Sequence, residues 1–177
     1  QLSASGPDTI WTSLQMLYTK LITEATREIL IESPYFVPDD GILEQLKIAA
    51  LAGISVKIII TGIPDKKIPY WVAETYFEEL LNSGIEVYRY QKGFLHCKNI
   101  VTDGELSTMG TCNFDSRSFE LNYEINTVYY NKELSLRLRE QFFEDLKYCT
   151  KITNEELDKK NLLFRLRDSI FRVLSPI

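Results

Sequence analysis

Between Ile54 and Thr61 the chain reads Ile-Ser-Val-Lys-Ile-Ile-Ile-Thr, with Val56, Ile58, Ile59 and Ile60 forming an almost unbroken apolar run. A β-strand presents its side chains to two faces in turn, so a strand apolar at nearly every position must be covered on both sides. This points to a sheet with parallel strands between layers of helices. The neighbouring segments are of the right kind. Ile10, Leu14, Leu17, Leu21 and Ile22 recur at helical spacing, and Ile29 and Ile31 alternate with other residues over 28–33. An ordered loop, Pro34 to Pro38, leads to a helix from about Asp40 to Ala52, with Gly53 suited to its left-handed cap. After a loop from Gly62 to Pro69 comes a helix carrying Trp71, Val72, Tyr76, Leu80 and Leu81, ended by Gly84, and then a strand from Ile85 to Tyr90. Alternating helices and strands call for a parallel sheet.

The second half changes pattern. Leu95–Val101 and Glu105–Met109 flank Asp103-Gly104, a hairpin signal, and Tyr123–Tyr130 is rich in β-formers. Helices are expected at about Lys132–Tyr148 and Asn161–Leu174. The expected fold is therefore α/β: an α/β/α sandwich whose mixed central sheet is parallel first and antiparallel later. With 177 residues and no repeat, low-complexity tract or linker, one domain spanning 1–177 is expected.

Composition narrows the function classes. The net charge of −5 argues against a general nucleic-acid binder, which needs a basic face, so no nucleic acid is expected as partner. Three cysteines, Cys97, Cys112 and Cys149, are odd in number and lack zinc-type spacing, which reads as a reduced, intracellular chain. No clustered His/Asp/Glu set suggests a metal, and neither metal nor cofactor is expected. No apolar run approaches the length of a membrane span, so this segment is expected to be soluble.

The chemistry concentrates in 90–118. In a strand, His96 and Lys98 would share one face, with Cys97 opposite. An imidazole beside an ammonium fills an apolar core badly but suits a phosphate, which takes the ammonium on its oxygens and the ring nitrogen at phosphorus. Gly110 allows close backbone approach, and Thr111, Asn113 and Ser118 offer neutral hydrogen bonds to phosphate oxygens. Glu124, with Asn122 and Asn126 on its own face, is a candidate to orient the imidazole and support its charged form.

The spacing His96-x-Lys98-x4-Asp103-x6-Gly110-Thr111-x-Asn113 resembles the HKD motif of the phospholipase D superfamily. Longer stretches are more specific. Pro34-Tyr35-Phe36-Val37-Pro38-Asp39, Gly93-Phe94-Leu95-His96, Asn113-Phe114-Asp115-Ser116-Arg117-Ser118-Phe119 and Leu121-Asn122-Tyr123-Glu124-Ile125-Asn126 resemble the C-terminal half of bacterial cardiolipin synthases, and the likeness runs over essentially the whole chain. It implies a phospholipase D-like half domain from a longer, two-motif enzyme, an expectation that the initial Gln1 also suggests. It also implies a phosphatidyltransferase that moves a phosphatidyl group between two phosphatidylglycerol molecules, forming cardiolipin and releasing glycerol through a phosphohistidine. His96, Lys98 and Asp103 would be the motif's catalytic set, though Asp103, at a turn, reads as fold-holding or lysine-positioning. Lys98 and Asn113 would stabilise charge on the non-bridging oxygens.

This chain holds one histidine, and the two-histidine cycle needs two. The expected partner is an N-terminal half with a second HKD motif, or a second copy of this domain. The resemblance assigns His96 to one of two roles, nucleophile or general acid. It also implies a bacterial cell membrane as the location, reached through the parent protein. The rival reading is a phosphodiesterase or nuclease of the same superfamily acting as a self-paired dimer. Three smaller readings complete the set. Cys97 and Cys112 are expected to fill small apolar spaces, the Tyr35/Phe36 loop to serve either as core packing or, as the resemblance implies, as a lip of the lipid cleft, and Asp115, Arg117 and Glu120 either to pair or to serve the site. Basic residues around the C-terminal helix fit both a membrane surface and a core-covering role.

Overall fold

In a computed structural model, which describes residues 1–159, the chain forms ten strands and seven helices. The first half comprises β1 (Leu2–Ser5), α1 (Ser13–Thr23), β2 (Glu28–Glu32), β3 (Phe36–Val37), α2 (Asp40–Leu51), β4 (Ser55–Thr61), α3 (Lys67–Glu74), α4 (Phe77–Asn82) and β5 (Glu86–Tyr90). The second half comprises β6 (Asn99–Thr102), β7 (Leu106–Gly110), β8 (Phe114–Asp115), α5 (Ser116–Glu120), β9 (Glu124–Tyr129), α6 (Lys132–Leu146), β10 (Cys149–Lys151) and α7 (Asn154–Asp158). The helix expected at Asn161–Leu174 lies outside the described residues.

The main sheet has eight strands in the order β1-β9-β7-β6-β2-β4-β5-β10. β2, β4 and β5 pair in parallel; β6, β7, β9 and both edge strands pair antiparallel. The mixed α/β sandwich expected from the pattern is what forms. β4 lies third from one edge, and its apolar run divides between two cores. Val56, Ile58 and Ile60 pack with α1, α2, α3 and α4 on one face. Ile59 joins Leu30, Val101 and Phe142 of α6 on the other. That division is why the segment has no polar face.

Local chemistry sets the boundaries. Asp39 caps α2 by accepting from the Ile42 amide (3.1 Å), and Asn131 caps α6 at the Leu134 amide (3.0 Å). Three expectations need correction. Ile10 is 92% exposed and precedes the first helix, which starts at Ser13. The helix expected through Trp71 and Leu81 is two helices, separated at Thr75–Tyr76. The strand expected from Leu95 begins only at Asn99, because β2, its neighbour, ends at Glu32 opposite Asn99 and leaves Leu95–Lys98 no rung to join.

Candidate active site

His96 and Lys98 therefore sit on an irregular segment at the end of β6, and the alternation expected of a strand does not govern them. His96 is exposed, its ring stacked on Phe94 with centroids 5.5 Å apart. Lys98 is 6% exposed, and its ammonium donates to the His96 carbonyl at 2.8 Å. Burial pulls the Lys98 ammonium below its ordinary pKa, and the nearby carboxylates of Glu124, Asp115 and Asp65 oppose that shift. The arrangement is a solvent-facing imidazole with a charged group tucked directly behind its backbone.

The next strand brings the remaining residues alongside. The Gly110 amide donates to the Lys98 carbonyl (3.2 Å), so β7 leaves the sheet beside the lysine. A Cβ on Gly110 would stand 2.2 Å from the Ile125 carbonyl oxygen, which excludes any other residue without rearrangement. Thr111 then clasps β9: its amide donates to the Ile125 carbonyl (3.0 Å), and its Oγ1 accepts from the Ile125 amide (3.0 Å). Its hydroxyl is thus already engaged with backbone. Asn126 holds the following turn, accepting from the Cys112 amide and donating to Tyr18 Oη (2.9 Å), which itself donates to the Cys112 carbonyl (2.7 Å).

Asn113 Oδ1 and Ser118 Oγ are both buried and have no hydrogen-bond partner among the described residues. Buried polar atoms are normally paired, so these two hold unspent capacity for a ligand oxygen or a water. Asp115 caps α5 by accepting from the Ser118 amide at 2.6 Å, which holds the loop that carries both. Of the two readings for Asp115, Arg117 and Glu120, pairing or service to the site, no ion pair forms between them among the described residues, and Asp115 spends its carboxylate on this cap.

Glu124 starts β9 and accepts from Asn122 Nδ2 (3.2 Å). Among the described residues its carboxylate makes no bond to His96; its field falls on Lys98 instead. Asp103 lies at the far end of β6, roughly 16 Å from Lys98 at about 3.3 Å per residue. It accepts from the amides of Thr26, Arg27 and Glu28 at 2.8, 2.8 and 2.9 Å. Its φ of 58° sits in the left-handed turn. Those bonds tie the hairpin to the start of β2, which is a fold-holding role.

Sequence reasoning missed Ser33, which donates to the Tyr35 carbonyl (2.6 Å) and accepts from the Phe114 amide (3.3 Å). Through this residue and the β3–β8 pairing, the Pro34–Pro38 loop is docked against the 113–118 loop. Phe36 is fully buried and stacks on Phe114, while Tyr35 is half-buried and its hydroxyl donates to Asp65, so only Tyr35 fits the role of a lip. Cys112 and Cys97 are buried and half-buried; burial pushes both thiols up, Cys97 to about 12, as small space-fillers rather than nucleophiles. Glu32, also missed, is a charged residue ending the apolar run Ile29–Ile31, and its odd chemistry was the available signal.

Residues 18–146 match the family model described as "Cardiolipin synthase, PLD-like domain". A cardiolipin synthase of Clostridium perfringens (strain SM101) is 47% identical over all 177 residues, and the chain spans 37% of that protein's length. Among solved structures, Nuc, a phospholipase D family member from Salmonella typhimurium, superposes with a TM-score of 0.73 at 21% identity, over 87% of this chain and 99% of its own. The phosphatidylserine synthase of Haemophilus influenzae Rd KW20 gives 0.73 at 15% identity, over 98% of this chain and 47% of its own. The fold thus makes up a whole chain in one case and about half of a longer one in the other. The chain belongs to the family of cardiolipin synthase, phospholipase D-like domains.

Proposed function

We propose that this chain is one phosphorus-reacting half of a phosphatidyltransferase that converts two phosphatidylglycerol molecules into cardiolipin and glycerol. One observation carries the reading. An exposed imidazole, His96, has the buried Lys98 ammonium bonded to its own carbonyl, and the adjoining 113–118 loop carries Asn113 and Ser118, whose buried polar atoms have no partner among the described residues. That is a place for a phosphodiester, with the negative non-bridging oxygens inward and phosphorus facing a ring nitrogen.

In the reaction an imidazole nitrogen bonds to phosphorus as the P–O bond to glycerol breaks, and a second imidazole protonates the departing alkoxide. A hydroxyl of the second phosphatidylglycerol, giving its proton to that now neutral second imidazole, then displaces the histidine from phosphorus and re-forms a phosphodiester. Lys98 offsets charge on the oxygens throughout; burial pulls its pKa down, and the charges of Cys97, Glu124, Asp115 and Asp65 oppose that shift. Thr111 and Glu124 support this geometry, Thr111 by fixing β9 and Glu124 by sustaining the charge of Lys98. Asp103 acts at a distance, through the hairpin.

The chain has one histidine, so the second imidazole comes from another segment, an upstream half bearing its own motif or a second copy. Coverage of about a third of its relative's length supports the upstream half. Among the described residues no helix is long and apolar enough to cross a membrane, so contact with a bacterial membrane would come through the rest of the parent. The test is product analysis: intact protein on phosphatidylglycerol vesicles should yield cardiolipin and glycerol in equal amounts. Phosphatidic acid and glycerol without cardiolipin, or cleavage of DNA by a symmetric dimer, would replace this reading with a hydrolytic one.

A further inference from the structure

Glu32 ends β2 and lies opposite Asn99, the first residue of β6. Theirs is the last rung before β6 gives way to the His96–Lys98 segment. Leu30 and Val101, two residues further into each strand, belong to the core beneath α6, so Glu32 and Asn99 extend toward that face. Glu32 is 1% exposed. Its Oε2 accepts from Asn99 Nδ2 at 2.8 Å, while Oε1 has no partner among the described residues.

The titratable groups that act most strongly on it among the described residues are Asp145 of α6 and Cys97 of the histidine segment, and Cys149 of β10 feels its charge in turn. None is a cation. Two carboxyl groups bond only through a shared proton. As a carboxylate, Glu32 keeps the Asn99 bond and the weak support of the Cys97 thiol, but it faces the like charge of Asp145. As a carboxylic acid it keeps an oxygen for Asn99 and gains an O–H donor that Asp145 can accept. The surroundings fit the neutral form.

We propose that Glu32 is a positioning residue: while protonated it holds the His96–Lys98 segment in place through Asn99, and loss of the proton loosens that hold. Burial first, and then the charge of Asp145, raise this carboxyl to about 7, with Asn99 and Cys97 pulling the other way. The proton is therefore exchanged near neutrality. Once ionised, the group repels Asp145 and needs solvation at a position almost closed to solvent, and the end rung is the part free to open. The consequence for turnover rests on the reading of the site given above; the effect on the segment does not.

The experiment measures amide hydrogen exchange at residues 96–99 in the intact protein at about pH 6 and about pH 8, corrected for intrinsic exchange, alongside phosphatidylglycerol turnover. Wild type should lose protection roughly five-fold or more across that interval. Glu32→Gln, which keeps the acceptor and cannot ionise, should show no step. Asp145→Asn, which removes the facing charge, should move the midpoint to lower pH. Turnover should fall with the same midpoint in wild type and not in Glu32→Gln. Equal protection of wild type at both pH values, or an unchanged step in Glu32→Gln, overturns the proposal. If Glu32→Gln fails to fold, the midpoint in Asp145→Asn decides. A protection step without any turnover would sink the phosphatidyltransfer reading and leave Glu32's role standing.

Discussion

At Gly110 a single hydrogen in place of a side chain decides whether the site can form. The Cβ of alanine would meet the Ile125 carbonyl at 2.2 Å and Asn126 Oδ1 at 2.3 Å, both on the adjoining strand β9. Gly110→Ala should therefore cost about 3 kcal/mol or more in stability, read by denaturant unfolding. Asn113→Ala and Ser118→Ala should behave oppositely. Each removes a buried atom that has no partner among the described residues, so stability should change by less than about 1 kcal/mol while turnover falls roughly 10²-fold. Glu32 adds a pH signature. Its folded pKa of about 7 exceeds its ordinary 4.5, so between those values the folded chain keeps a proton that the unfolded chain has lost. Stability then falls as pH rises through that window, by up to about 3 kcal/mol, and Glu32→Gln should remove this slope in thermal melts. His96, Lys98, Asn113 and Ser118 were legible from residue type and spacing. The burial of Lys98, the free oxygen of Asn113 and the role of Glu32 were not, because they depend on which strand ends beside which.

Elements show the same division. The β4 run, the Asp103-Gly104 turn and the glycine caps at Gly53 (φ 93°) and Gly84 (φ 86°) carry their structure in local chemistry, and each was readable. The edge strands β1 and β10, the two-residue pair β3–β8 and the short helices α5 and α7 have no periodicity of their own. They exist because a neighbour supplies hydrogen bonds, as β9 does for Leu2–Ser5. Residues 95–98 failed as a strand for the converse reason, a neighbour that stops. The hairpin anchor belongs to this scale. Burial pulls the Asp103 carboxyl up, but the amides of Glu28, Thr26 and Arg27 with the Thr26 hydroxyl outweigh it, and the net shift is downward. Its contribution is thus complete above its ordinary pKa and is lost as pH falls through the lowered one. Asp103→Ala should cost roughly 2–3 kcal/mol. In Asp103→Asn, which retains one accepting oxygen, the loss should be smaller. Turnover per folded molecule should survive in both, since the residue stands a strand's length from Lys98.

For the whole molecule, the eight-stranded sheet is a platform, and the irregular segment from Gly93 to Lys98, which leads into the interior strand β6, carries the histidine. The alternation of helix and strand made the sandwich readable, and the motif made the family readable. These 177 residues hold one imidazole, so under the proposed reading an activity that needs two should be missing from them alone and return on adding a second motif-bearing half. The central claim is that phosphorus is met at His96. Its direct test is the rate of cardiolipin formation by the intact protein carrying His96→Ala, compared with wild type at matched thermal stability. The account requires a loss of roughly 10³-fold or more with unchanged melting. A variant that melts like wild type and retains a rate within about tenfold of it would contradict the account.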